Sequence, residues 1–344
     1  MKTFVTTQLD PRALARIAPL AGELVIEPWQ ETGTIYQGDE LAERVLKDRF
    51  DHLIVEVDIL HEDFWEGIAG RHRVRTISVC RADPLTVDRE AATAAGVPVF
   101  FTPARNAQAV AELTLGMMIA HARRLVDAHN LLKSKRFEPA SPKDFMKTYG
   151  TLTGYEIGTR TVGIVGMGAI GRMVAERLRP FGSTLLGFDP YVDAMAMERL
   201  GVRKCAIDPL MAEADLVTIH CPLNEETLGL IGPAQIARMK PTAVLLNLAR
   251  ADVVDDDALY DALAGDKIAG ACLDVFHQEP VLPDNRFLDL PNVLVTPHIG
   301  GASSDVAYHQ GMMIARALEG YFAGGPPADL VANPEVLDRL ESPR

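Results

Sequence analysis

The sequence predicts an α/β protein with two domains, each built on a doubly wound parallel sheet. Short, nearly continuous apolar runs alternate with amphipathic segments, which is typical of parallel strands covered by helices on both faces. The 344 residues are too many for one small core and suit two domains. A glycine-rich turn between an apolar run and a helix, near the middle of the chain, indicates a nucleotide-binding fold.

Apolar runs in the second half of the chain predict the strands of the larger domain. Amphipathic segments such as residues 172–179 and 256–263 separate the runs, and we expect them to form helices. The predicted strands comprise residues 162–165, 184–188, 216–219, 244–248, 268–273 and 293–295. The first hundred residues repeat the alternation less regularly and predict a smaller α/β domain, with strands at residues 4–6, 24–26, 53–55, 77–80 and 97–101.

The segments between these two sets of strands predict how the domains are connected. Residues 107–132 read as one long helix and residues 133–154, which contain two prolines, as a long loop. A second helical run, residues 304–322, is expected to return to the first domain. We therefore predict a substrate domain of residues 1–106 and 304–344 and a nucleotide-binding domain of residues 107–303.

Composition and charge favour a globular protein that acts on small molecules. The hydrophobic share of 48% and the charged share of 24% are ordinary for such a protein, and the net charge of −13 argues against nucleic acid as a partner. Residues 1–6 lack the apolar stretch of a secretion signal, and the most apolar helical segment is too short and too polar to span a membrane. Four scattered cysteines favour buried thiols in a reducing cytoplasm over disulfides or a metal site.

The glycine-rich turn has the spacing of a dinucleotide-binding site. Gly166 permits a sharp turn, Gly168 lets the backbone approach a pyrophosphate, and Gly171 lets the following helix pack against the strand. The helix N-terminus offers free N–H groups and a positive dipole end to the phosphates. Asp189 ends the next strand and can accept hydrogen bonds from ribose hydroxyls. Its charge would repel a 2′-phosphate, which favours NAD over NADP.

Polar residues follow three later strands, where the ligands of open parallel sheets bind. Arg250 can bind the carboxylate and carbonyl of a 2-keto acid with its guanidinium fork. His298 can donate a proton, since histidine is the side chain whose ordinary pKa lies near neutral pH. Glu279 can orient that ring and stabilise its charged form. Together they predict a catalytic set for hydride transfer to a 2-keto acid.

These motifs resemble the D-isomer-specific 2-hydroxyacid dehydrogenases, a family that includes phosphoglycerate, glycerate/glyoxylate and D-lactate dehydrogenases. The resemblance covers nearly all of residues 77–302. It runs in order through residues 110–112, 166–171, 220–223, 247–259, 273–280 and 296–302.

The resemblance implies a Rossmann NAD-binding domain inserted in a smaller flavodoxin-like domain, with the cofactor in the cleft of a two-domain clamp. It also implies a homodimer formed through the nucleotide domain, with residues 107–132 and 133–154 reaching across. The implied substrate is a 2-keto or 2-hydroxy acid, with Arg250 binding it, Glu279 tuning the histidine and His298 acting as acid/base. The further cofactor contacts implied are Ala169 and Ile170 to the pyrophosphate, Leu248 and Ala249 to the nicotinamide end, Asp274 to the carboxamide, and Gly300.

The chain departs from the family pattern in two places. Ala251 stands where relatives usually carry glycine, which would cost stability if its φ were positive. The glycine-rich substrate loop of relatives is replaced by residues 78–84. Within it, Arg81 could bind the substrate carboxylate or a second anionic group such as phosphate. It could instead pair with Asp83 or Asp88.

Other residues and other functions stay open at this point. Arg105 and Trp65 are weaker candidates for lining the cleft, and His220 is predicted to pack or cap. His277, like most other histidines, has no predicted partner. A phosphite dehydrogenase and an NAD-sensing corepressor-like protein remain alternatives. A formate dehydrogenase is disfavoured because Glu279 is not an amide, and the Arg–Glu–His set speaks against a methyltransferase.

Overall fold

The computed structural model describes residues 1–135, 137 and 140–339. They divide into two compact units, one of Met1–Asn106 with the segment that begins at Ser303, and one of Ala107–Ala302. Each unit contains its own parallel sheet flanked by helices, so the predicted α/β class is confirmed. No helix in the described part of the chain has the length and apolar character needed to cross a membrane.

The first unit has a five-stranded parallel sheet in the order β2-β1-β3-β4-β5. This is the flavodoxin-like order. Its strands are β1 (Lys2–Val5), β2 (Glu23–Ile26), β3 (His52–Val55), β4 (Thr76–Val79) and β5 (Val99–Phe101). Its helices are α1 (Pro11–Ala21), α2 (Trp29–Thr32), α3 (Gly38–Asp48), α4 (Glu62–Ile68), α5 (Arg89–Ala94) and, after the second unit, α14 (Asp305–Phe322).

Alternate residues of these strands pack on opposite faces of the sheet. Phe4 and Leu53 contribute to the core beneath α3 and α4, whereas Val5 and Ile54 contribute to the core beneath α1 and α14. Because both faces are covered, β3 and β4 are fully buried and read in the sequence as apolar runs.

The second unit has a seven-stranded parallel sheet in the order β12-β11-β10-β9-β6-β7-β8. The order reverses between β6 and β9, as in Rossmann domains, and ligands bind at such a switch point. The strands are β6 (Thr161–Val165), β7 (Thr184–Phe188), β8 (Val202–Lys204), β9 (Leu216–Ile219), β10 (Val244–Asn247), β11 (Gly270–Leu273) and β12 (Val293–Val295). The helices are α6 (Ala107–Ala122), α7 (Leu125–Lys133), α8 (Pro142–Thr151), α9 (Ala169–Leu178), α10 (Ala194–Arg199), α11 (Ile207–Glu213), α12 (Pro233–Ile236) and α13 (Asp256–Ala264).

Three elements differ from the sequence-based expectation. The predicted single helix is two helices, α6 and α7, because Arg124 between them adopts a left-handed conformation with φ of 51°. The predicted long loop contains α8, whose first turn is capped by the side chain of Ser141. Residues 136, 138 and 139 of that loop lie outside the described residues. The short edge strand β8 was missed because its three residues include two charged ones.

Candidate active site

The glycine-rich turn connects β6 to α9, and its glycines serve different purposes. At Gly166, φ is +93° and a Cβ would lie 2.5 Å from the backbone nitrogen of Cys221. At Gly171, a Cβ would lie 2.0 Å from the carbonyl oxygen of Gly166. A Cβ at Gly168 would meet no described protein atom within 4 Å. Protein packing therefore requires the outer two glycines, whereas the middle one leaves space for a bound group.

The N-terminus of α9 is suited to an anion beside this space. Ala169 and Ile170 are its first two residues, so their N–H groups lack intrahelical acceptors. No other described residue accepts a hydrogen bond from them. With the open side of Gly168, these donors fit the pyrophosphate of a dinucleotide.

Asp189 follows β7 and secures the loops around a small cavity. Its Oδ2 accepts from the N–H of Met167 over 2.8 Å, and its Oδ1 from the N–H groups of Tyr191 and Val192 over 2.9 and 3.2 Å. A carboxylate has about four acceptor sites, which leaves one for a ribose hydroxyl. The adjoining cavity of ≈ 130 Å³ is lined by Asp189, Tyr191 and residues of the loop after β9.

His220, at the end of β9, is a packing residue in this structure. It is buried, and its Nε2 lies 2.9 Å from Oγ1 of Thr218. Burial lowers its pKa to about 3, so the ring is neutral at physiological pH.

The structure brings His298 and Glu279 together. His298 lies in the loop after β12, and its Nδ1 is 2.6 Å from Oε2 of Glu279, in the loop after β11. The other carboxylate oxygen of Glu279 accepts from the N–H of Phe276 over 3.0 Å. The Nε2 of His298 makes no hydrogen bond with any residue that the structure describes. We call the His298–Glu279 pair the dyad.

The charges around Glu279 favour its ionised form. Partial burial raises the pKa of this carboxyl, but the hydrogen bonds from His298 and Phe276 and the positive charges of His298 and Arg250 outweigh it. The net effect is a pKa below the ordinary value. Arg250, the third predicted residue, lies in the turn after the neighbouring strand β10, and its positive charge contributes to this lowering.

The turn after β10 presents Arg250 on the surface of the unit. Asn247 secures this turn by accepting from the N–H of Ala249 over 3.1 Å and donating to the carbonyl of Arg250 over 2.9 Å. The guanidinium donates once, to the carbonyl of Ala249, which leaves most of its five N–H groups for a ligand. The φ of Ala251 is not positive, and this residue begins a 3₁₀ turn, so its methyl group causes no backbone strain.

Asp274 holds the loop that carries His298. Its fully buried carboxylate accepts from Oγ1 of Thr296 over 2.6 Å and from the N–H groups of Ile299 and Gly300 over 2.8 Å each. His298 itself has a φ of 54°, which is unfavourable for a residue other than glycine. We call this set of three hydrogen bonds the Asp274 clamp. No sequence pattern indicated this clamp, because a buried strand-end aspartate does not reveal its donors.

The first unit contains the other predicted contacts. Arg81 follows β4, where its carbonyl accepts from Thr102, and its guanidinium pairs with neither Asp83 nor Asp88 nor any other described residue. Arg105 is already engaged by Glu56 and Gln310 within the same unit.

The expectation that Trp65 lines a cleft is wrong. Its ring is 8% exposed and packs in the core of the first unit against Phe64. Its Nε1 donates to the carbonyl of Leu60, so its polar atom is also satisfied inside the unit.

Comparison with known proteins identifies close relatives. Residues 115–300 match the family model described as "D-isomer specific 2-hydroxyacid dehydrogenase, NAD binding domain". The chain is 33% identical over 337 residues to glyoxylate reductase of Korarchaeum cryptofilum, covering 98% of this chain and 97% of that protein. It is 36% identical over 250 residues to D-3-phosphoglycerate dehydrogenase of Archaeoglobus fulgidus, covering 73% of this chain but only 46% of that protein.

Among solved structures, the apo form of D-lactate dehydrogenase from Escherichia coli is similar over 96% of this chain and 99% of that one. The TM-score is 0.73 and the sequence identity 28%. The likeness therefore extends over both units, whereas the phosphoglycerate dehydrogenase is about twice as long as the part that matches.

Proposed function

The chain belongs to the D-isomer specific 2-hydroxyacid dehydrogenases, which are NAD-dependent oxidoreductases, and we propose that it interconverts a small 2-keto acid and its D-2-hydroxy acid. The observation that carries this proposal is the 2.6 Å contact between His298 and Glu279, which leaves Nε2 of His298 without a partner among the described residues. Arg250 near this dyad supplies the cation that such a substrate requires.

Each residue of the set has a defined part in the proposed reaction. Arg250 binds the substrate carboxylate and polarises the carbonyl. His298 donates a proton from Nε2 to the carbonyl oxygen during reduction and accepts it during oxidation. Glu279 stabilises the imidazolium and fixes the ring so that Nε2 is available. Bound NADH supplies the hydride.

The cofactor site proposed for this reaction uses the turn after β6 and the strand ends beside it. We propose that Gly166, Gly168 and Gly171 shape the pyrophosphate site, that Ala169 and Ile170 donate to it, and that Asp189 binds the ribose. Leu248, Ala249, Asp274 and Gly300 are proposed to surround the nicotinamide. The three hydrogen bonds that Asp274 already accepts leave it about one acceptor site for a carboxamide.

We propose that Arg81 binds an anionic group of the substrate. The Arg81 guanidinium has no partner in the part of the chain that the structure describes, which supports this, since such an arginine at a strand end is available to an external anion. The anion is either the carboxylate of a small keto acid or the phosphate of an acid such as 3-phosphoglycerate.

The test is NADH oxidation with glyoxylate, pyruvate, hydroxypyruvate, phosphohydroxypyruvate and 2-oxoglutarate, repeated with Arg81→Ala. Turnover on at least one acid is expected. Preference for phosphohydroxypyruvate that is lost in Arg81→Ala would identify a phosphate contact, whereas preference for small acids would favour a glyoxylate reductase-like enzyme. Tight NADH binding without any turnover would contradict the proposal and favour an NAD-sensing protein.

We also propose that the chain forms a cytoplasmic homodimer. Helices α7 and α8 expose several large apolar side chains, and such a patch marks a protein interface. They are Leu125, Val126, Leu132, Phe145, Met146 and Tyr149. The free thiols of the four cysteines support a reducing compartment. Sedimentation should give a dimer that dissociates when Leu132 and Phe145 are both replaced by aspartate.

A further inference from the structure

Two loops that follow neighbouring strands of the seven-stranded sheet are joined by an imidazole–carboxylate contact. His277, in the loop after β11, places Nδ1 2.9 Å from Oδ1 of Asp252, in the 3₁₀ turn after β10. Its Nε2 lies 3.5 Å from Oδ1 of Asp256 on α13. We call the first contact the Asp252–His277 pair. Nothing in the sequence indicated it, because the partners lie in separate loops.

The pair lies between residues that carry the proposed chemistry. Asp252 is in the same turn as Arg250. On the other side, Phe276 precedes His277 and donates its N–H to Oε1 of Glu279 over 3.0 Å. A continuous chain of contacts thus runs from the arginine turn, through the pair, to the carboxylate of the dyad.

A second contact, farther along the chain from the dyad, joins the segment after β11 to α13. Arg286 lies 2.5 Å from a carboxylate oxygen of Asp256 and 2.7 Å from one of Asp257. It docks the segment after β11 on α13 but does not reach the turn that contains Arg250. Arg286→Ala therefore offers a matched control, because it removes a contact between this segment and α13 but none with the turn that contains Arg250.

The contact with His277 also bears on how the negative charge of Asp252 acts on Arg250. Its carboxylate lies in the same turn as an arginine that is proposed to bind an anion. If this carboxylate had no other partner, it would compete with the substrate for Arg250 or repel it. His277 engages the carboxylate, and within the described part of the chain Arg250 makes no hydrogen bond or ion pair with Asp252.

We propose that Asp252 and His277 are positioning residues for the reaction, fixing the Arg250 turn relative to the loop that carries Glu279 and keeping the Asp252 carboxylate occupied. This inference rests on the proposed function. Neither residue is assigned to contact substrate or cofactor. Their effect is exerted through Arg250 and Glu279.

The kinetic test is a double-mutant cycle with His277→Ala, Asp252→Ala and the double variant. Each single change should lower kcat/KM for the 2-keto acid about tenfold, because misplacement of a binding group by a fraction of an ångström is costly. The double variant should lose no more than either single one. His277→Asn, whose amide can replace the Nδ1 donor, should recover most of the loss, and Arg286→Ala should lose little. The dissociation constant of NADH should stay unchanged throughout.

Additive losses, or an equal loss in Arg286→Ala, would overturn the pair as a positioning element. Crystal structures provide a readout that does not depend on turnover. In His277→Ala, the Arg250 turn should move relative to Glu279, and in His277→Asn it should not. If the Arg250 turn does not move in His277→Ala, the inference is overturned, whatever the activity of that variant. A wild-type protein without turnover overturns the proposed function, while the movement of the turn still decides the role of the pair.

Discussion

The two parallel sheets both carry polar side chains at the carboxyl ends of their strands. Those of His298 and Arg250 keep hydrogen-bonding groups without a described partner, whereas that of Glu56 is satisfied by internal partners. At the edge of the seven-stranded sheet, Nε2 of His298 and most of the N–H groups of Arg250 have no partner among the described residues. At the edge of the five-stranded sheet, the carboxylate of Glu56 is buried and fully engaged. Its donors are Thr7, Trp29, Gln30 and Arg105. Strand-end side chains with unused hydrogen-bonding capacity among the described residues, such as His298, Arg250 and Arg81, are therefore the ones available to a ligand, whereas Glu56 is not.

The pKa shifts of the carboxyl groups at the five-stranded sheet arise from burial and from internal partners. Burial raises the pKa of Glu56, but hydrogen bonds from Thr7 and Trp29 and the charge of Arg105 outweigh it and hold the pKa below the ordinary value. At the neighbouring Asp58, burial dominates and raises the pKa despite hydrogen bonds from Thr6 and the backbone. Both carboxyls are thus adjusted by internal partners, whereas the dyad keeps one nitrogen for an external one.

The largest expected effect is at the edge of the seven-stranded sheet. Replacing His298 with asparagine should lower kcat about 10³-fold, since the proton donor is lost. Asparagine is chosen because it tolerates the positive φ at this position better than other residues that have a Cβ. Stopped-flow and steady-state measurements of NADH oxidation would show the loss. NADH affinity and Tm should be retained, and activity close to wild type would remove His298 from the proposed mechanism.

The Asp274 clamp should give the next largest effect. In Asp274→Asn, the amide would direct an N–H toward the N–H of Ile299 or Gly300, so the loop should lose its geometry and kcat should fall about 10²-fold. Thr296→Val removes only one of the three hydrogen bonds and should cost less. Fluorescence titration with NADH separates the two roles of Asp274. Unchanged affinity favours the clamp, whereas weakened affinity with intact kcat favours the carboxamide contact that the family resemblance implies.

A smaller effect with a clear sign is expected at Glu279. Partial burial raises the pKa of this carboxyl, but hydrogen bonds from His298 and Phe276 and nearby positive charges lower it by more, so Glu279 places a negative charge beside the ring. Replacing Glu279 with glutamine removes the negative charge but keeps an acceptor for Nδ1. The pH profile of kcat/KM for reduction should then move to lower pH than in the wild type, because the negative charge beside the proton donor is lost. An unchanged pH profile of kcat/KM would contradict electrostatic coupling in the dyad.

Sequence patterns predicted most of the strands and the strand-end residues of the candidate site, but not the contacts between distant loops. Apolar runs located nearly all the strands because parallel strands are buried on both faces, and strand ends located Arg250, Glu279 and His298. Pairing between distant loops was not predicted, because periodicity reports which face is buried and not which polar groups meet. Asp252 with His277 and Arg105 with Glu56 are such cases. The break at Arg124 was missed for a related reason, since a left-handed residue other than glycine leaves no compositional sign.

The least effect on catalysis is expected at Glu56, whose carboxylate accepts from four internal donors. Glu56→Gln should destabilise the protein by about 2 kcal/mol at pH 7, because an amide cannot accept from all the buried donors that surround it. Since the folded pKa of Glu56 lies below its unfolded value, the charged form contributes stability above the unfolded pKa and loses it as pH falls through the folded one. Denaturant unfolding at pH 7 and pH 4 should therefore show a smaller difference from wild type at the lower pH.

The same change at the exposed Glu43 should leave unfolding unchanged. A loss of kcat/KM in Glu56→Gln with unaltered stability would break the comparison and give Glu56 itself a part in the reaction.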